Sequence, residues 1–85
     1  MTARKALQAA KAAGRTGQFY IVTTHPFGKH NVTRIDIAKG LATATRATYQ
    51  AENDRWRVEG GTDLDGDDLT VILAFDEGVI VVTAY

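Results

Sequence analysis

Hydrophobic and polar positions change period along the chain, and the changes mark its elements. Residues 3–13 are alanine-rich and follow Thr2, a suitable N-cap, while Gly14 fits the end of a helix. Leu7 is the only large apolar residue in that stretch, so we expect this helix to dock weakly. Phe19 to Thr24 is aromatic and β-branched and reads as a strand, closed by Pro26, which cannot donate to a ladder. After the loop from His25 to Asn31, Thr33 is placed as the N-cap of a second helix. Asp36 then stands at N3, and Val32 and Ile37 form a hydrophobic staple. Ile37, Ala38, Leu41 and Ala44 would face a sheet, and Gly40 calls for a short helix or tight packing at that point.

From Arg46 onward the period becomes two. A strand to about Ala51 is followed by a turn at Glu52-Asn53-Asp54. Arg55 to Glu59 then alternates strictly, with Trp56 and Val58 on one side and Arg55, Arg57 and Glu59 on the other. Gly60-Gly61 predicts a bend or bulge, and Asp63 to Asp68 a turn. Leu69–Phe75 and Val79–Thr83 are apolar on both faces and are joined by a compact hairpin at Asp76-Glu77-Gly78. Such strands should lie centrally, or be covered on the second face by the first helix or another subunit. The order predicts an α+β fold: a small twisted antiparallel sheet, with a strand, a helix and a four-strand meander, and one or two helices packed on it.

Eighty-five residues make one small domain, with a helix over 1–14 and a core over 19–85. The absence of cysteine excludes a disulfide framework and a thiolate metal site. No apolar run reaches the roughly 20 residues of a membrane span, and we expect a soluble, cytoplasmic protein with no membrane association. The zero net charge conceals a division. Residues 1–57 hold ten Lys and Arg against three acids, a net +7, and residues 58–85 hold seven acids and no Lys or Arg, a net −7. Folding can turn that division into an anion-binding face or scatter it over the surface.

The ordered set His25, Arg34-Ile35-Asp36-Ile37, Trp56-Arg57-Val58-Glu59-Gly60, Asp63-Leu64-Asp65-Gly66, Leu69-Thr70-Val71 and Val81-Val82-Thr83-Ala84-Tyr85 resembles a family of small bacterial and phage domains related to the BrnT and RelE/ParE toxins. The resemblance covers about residues 19–85. It implies a twisted antiparallel sheet with helices on one side and, for the RelE-like branch, RNA cleavage without a metal. ParE-like members of the same fold inhibit gyrase instead. RNA or the ribosome would be the target, and a cognate antitoxin or immunity protein a second partner. In that picture Thr83 and Tyr85 would lie beside His25, positioning the phosphate or donating a proton.

Cleavage through the 2′-hydroxyl needs a base, an acid and fixed positive charge or N–H donors on the phosphorane. His25 and His30, both in one loop, titrate in the right range to supply acid and base. Lys29, Arg34, Arg46, Arg55 and Arg57 could hold the phosphate, and the helix start at Thr33 offers N–H groups to an anion. These residues also have plain structural uses: a strand-ending histidine often caps a loop, and arginines at alternate strand positions often form a solvated face. No cofactor is expected. Counting an EF-hand loop from Asp63 places Asp68 where Gly is required and Ala74 where Glu is required, so this stretch is read as a turn and not a metal loop. A serine nucleophile is excluded because the chain has no serine. Two other readings remain open: a non-catalytic protein-binding module on the same scaffold, and a homodimer built through the two-sided apolar strands.

Overall fold

A computed structural model describes residues 1–22 and 32–85. The hydroxyl of Thr2 accepts the Lys5 N–H at 3.1 Å and starts helix α1, Ala3–Thr16. The helix runs through Gly14 and ends at Gly17, whose φ of 76° lets its N–H turn back to the Ala13 carbonyl at 2.8 Å. Gly14 is therefore an interior residue. A Cβ there would stand 2.5 Å from Ala38 O and Ala42 N of the second helix. The expectation of weak docking is also corrected. Ala6, Ala10 and Ala13 are buried, and small side chains allow a close helix–helix approach that one leucine could not have revealed. Lys11 fastens the pair by donating from Nζ to Ala42 O at 3.0 Å and to Ala44 O at 2.9 Å, where helix carbonyls lack partners.

Helix α2, Arg34–Thr43, begins in the expected capping box: Thr33 Oγ1 accepts the Asp36 N–H, and the Asp36 carboxylate accepts the Thr33 N–H. Ile37 and Leu41 are fully buried beneath it, and Ala44 follows at its end. Five strands complete the fold: β1 (Tyr20–Ile21), β2 (Arg46–Gln50), β3 (Arg55–Thr62), β4 (Asp68–Phe75) and β5 (Val79–Ala84). Their order is β1-β5-β4-β3-β2. β2 to β5 form the predicted antiparallel meander, whereas β1 joins β5 in parallel, making the sheet mixed. β1 is shorter than the predicted Phe19–Thr24. Val22 adds one further bond, N–H to Val81 O at 3.1 Å, and Thr23 and Thr24 lie outside the described residues.

Trp56, Val58, Leu69, Val71, Leu73 and Val81 point to one face and share a single core with Ile37, Leu41 and the alanines of α1. The register of β3 against β4 shifts between Val58 and Gly61, as the Gly60-Gly61 pair predicts. A Cβ on Gly61 would overlap the carbonyl of Gly40, so the two glycines let α2 settle on the bulged strand. Both helices therefore lie on the same side. Among the described residues, no helix covers the opposite face of the sheet.

Candidate functional site

The two-residue period of the strands decides which side chains reach that bare face, and the register aligns them in rows. One row crosses Arg46 on β2, Glu59 on β3, Thr70 on β4 and Tyr85, whose backbone exchanges bonds with Thr70 at 2.7 and 2.9 Å. The next crosses Thr48, Arg57, Ile72 and Thr83. The third crosses Gln50 and Arg55 to Ala74, Ile80 and Tyr20. A second register shift, between Ile72 and Leu73, leaves Val82 as the extra residue of β5, beside Val22. The face is thus divided. β2 and β3 carry Arg46, Thr48, Gln50, Arg55, Arg57 and Glu59, while β4, β5 and β1 carry Ile72, Ala74, Ile80, Val82, Val22 and Tyr20.

Electrostatics favour an anion on the arginine side. On the rows of β2 and β3 three arginines stand against Glu59, and Asp54 and Asp76 flank Arg55 at the end of the sheet. Glu59 is half-buried and shared: Arg46 Nη2 reaches its Oε1 at 2.9 Å and Arg57 Nη2 its Oε2 at 3.3 Å. Arg57 Nε is buried with no acceptor among the described residues, which leaves a donor unsatisfied on this face. Arg55 turns one nitrogen to the carbonyls of Asn53 and Asp54, at 3.1 and 3.3 Å. An open depression of about 910 Å³ wraps the end of the sheet, lined on the bare face by Arg55, Val22, Ala74, Ile80 and Val82 and on the other by Tyr49, Trp56 and Phe75.

Five residues singled out from the sequence, Arg46, Arg55, Arg57, Thr83 and Tyr85, therefore share one face. Thr33 and Arg34 do not join them. Arg34 Nη2 donates to Gly17 O at 2.9 Å and Phe19 O at 2.7 Å, and its guanidinium stacks 4.1 Å from the Phe19 ring centroid. It ties the exit of α1 to the start of α2. At the start of α2 an internal anion is already in place. Asp36 accepts the Thr33 N–H and hydroxyl and, through Oδ1, the Leu64 N–H at 3.0 Å. The Thr33 N–H first and the Leu64 N–H second hold its carboxyl below the usual aspartate range. His25, Lys29 and His30 lie outside the described residues.

Asp63–Asp68 forms the expected turn. Asp63 Oδ1 accepts the N–H groups of Asp65 and Asp67 at 2.9 and 3.0 Å, and Gly66 N–H bonds to Asp63 O. The carboxylates of Asp63, Asp65 and Asp67 come within 4.8 Å of one another, with Asp63 Oδ1 shaping the turn. Sequence reasoning missed Tyr20, Val22, Thr48 and Gln50 as members of the bare face. Strand parity from Arg46 would have found Thr48 and Gln50. Tyr20 and Val22 required the parallel β1–β5 pairing, which has no local signal. Among the described residues no helix is long and apolar enough to cross a membrane. No family model, curated protein or solved structure matches the chain.

Proposed function

We propose that the chain is a small toxin-like RNA-directed domain that holds RNA against its bare sheet face and cleaves it by 2′-hydroxyl attack. The observation that carries this reading is the gathering of Arg46, Arg55 and Arg57, with Thr83 and Tyr85, on the sheet face that no helix covers among the described residues, where Arg57 Nε also lacks an acceptor. Fixed guanidinium groups bind phosphate and stabilise charge developing on it. In this reading His25 and His30 supply the base and the acid. RNA or the ribosome is the target, and a cognate antitoxin restrains the activity in the cell.

The test is incubation of the purified protein with total RNA and with ribosomes, beside a His25→Ala control. Cleavage by the parent and none by the variant is expected; intact RNA in every reaction contradicts the catalytic part. A second reading, a non-catalytic protein-binding module, has the apolar half of the face in its favour, because Tyr20 and Val22 are 66% and 59% exposed. Recovery of a protein partner on that surface, with no RNA bound or cleaved, selects it.

A further inference from the structure

Among the described residues the sheet has two edges, β1 and β2, and they are protected differently. Proteins keep an open strand from pairing with another chain by making it very short, or by placing proline, a bulge or a free charge on it. β1 consists of two residues. β2 is five residues long, pairs with β3 in unbroken register and contains no proline or lysine. Its one charge, Arg46, is drawn back onto Glu59 at 2.9 Å. Tyr49 is 46% exposed on this strand, yet its position is set: the ring lies 5.1 Å from that of Trp56, and the hydroxyl donates to Asp54 Oδ1 at 2.7 Å. An aromatic side chain already held in place loses little freedom on docking.

The strand also complements itself in reverse. Laid antiparallel about Thr48, Arg46-Ala47-Thr48-Tyr49-Gln50 sets Arg46 against Gln50, Ala47 against Tyr49, and Thr48 against Thr48 of the other copy. No like charges stand opposite one another, Ala47 leaves room for the Tyr49 ring, and facing threonines make a favourable cross-strand pair. Because the pairing is centred on a residue, it closes whichever alternate set of N–H and C=O groups turns outward.

We infer that the β2 edge is occupied by a second copy of this chain, joined through a two-fold axis at Thr48 into one continuous sheet with five strands from each copy. The inference goes beyond the RNA reading and does not depend on it. On the bare face, the row of Arg57 and Thr48 runs on into Thr48 and Arg57 of the second copy. The two arginine halves then meet at the centre, and the apolar halves lie outermost. Five residues a side is far below the roughly 20–30 of a standard interface, so this dimer forms with rising concentration and dissociates on dilution.

The measurement is the mass in solution by sedimentation velocity, without RNA, over a dilution series of the purified protein. The mass should rise from the 9.2 kDa monomer toward twice that value. Thr48→Lys and Thr48→Asp each set like charges face to face on the axis, and each should weaken the dimer on the order of tenfold. An equimolar mixture of the two variants should restore it, because opposite charges then meet. That rescue separates a broken interface from a damaged fold. A monomer at every concentration overturns the inference. So does a dimer that both Thr48 variants leave intact and Val22→Asp dissociates, which places the contact on the apolar half of the bare face. Since no RNA is present, the result stands apart from whether the protein binds or cuts RNA.

Discussion

The helix-covered face and the bare face of the sheet come from the same strands, residue by alternate residue, yet they are held under different constraints. On the covered face Leu73, Val71 and Val81 have no exposed surface, Gly61 is small because the Gly40 backbone passes against it, and Gly40 is small because Leu69 fills the space a Cβ would need. On the bare face Arg57 keeps two fifths of its side chain in solvent and shares Glu59 with Arg46. One face is specified by volume and the arginine half of the other by charge. Stability should therefore depend steeply on the first and weakly on the second, and ligand binding the reverse.

The largest expected effect is on the covered face. Leu73→Ala removes a fully buried side chain from the middle of β4 and should cost about 3 kcal/mol, read from the midpoint of urea unfolding. Gly61→Ala should cost about 2 kcal/mol, because the added methyl overlaps the Gly40 carbonyl and α2 must lift. A neutral result there would mean that α2 can slide on the bulge and that the glycine pair is not needed for docking. Arg57→Ala should change stability by no more than about 0.5 kcal/mol, since Glu59 keeps Arg46 and the pair is partly solvated. The same variant should weaken RNA binding measurably, and a loss of stability matching Leu73→Ala would erase the contrast between the faces.

Asp36 gives the smallest effect and a sign. Its carboxyl is depressed in the folded chain, so its contribution is complete above the unfolded aspartate value, near pH 4. That contribution disappears as pH falls through the lower folded value. Asp36→Asn should therefore lie below the parent in stability at neutral pH and converge with it in acid. Parallel urea titrations at neutral and acid pH check this, and a constant gap between the two proteins would remove the Asp36–Leu64 tie from the account.

Local chemistry makes much of the fold legible in the sequence. The Thr33–Asp36 box, the Gly60-Gly61 bulge, the Asp63 turn and the meander all follow from side-chain period and turn residues within a few positions of one another. What was not legible depends on distant partners. Gly14 looks like a helix stop until Ala38 and Ala42 are placed against it, and Lys11 looks solvated until the carbonyls of Ala42 and Ala44 arrive. Arg34 has the composition of a phosphate ligand, yet its guanidinium sits on Phe19 and two backbone carbonyls. Alternation in β3 separated Arg55 and Arg57 from the core at sight, whereas the partnership of Tyr20 with Ile80 came only from the parallel edge.

The central claim is that RNA meets the bare face, and backbone amide shifts observed during titration with a short RNA, 2′-O-methylated so that it cannot be cut, test it most directly. The account predicts shifts concentrated at Tyr20, Val22, Arg55, Arg57, Ile72 and Thr83, with the outer surface of α1 silent. Shifts confined to the helices, or none at saturating RNA, would contradict it.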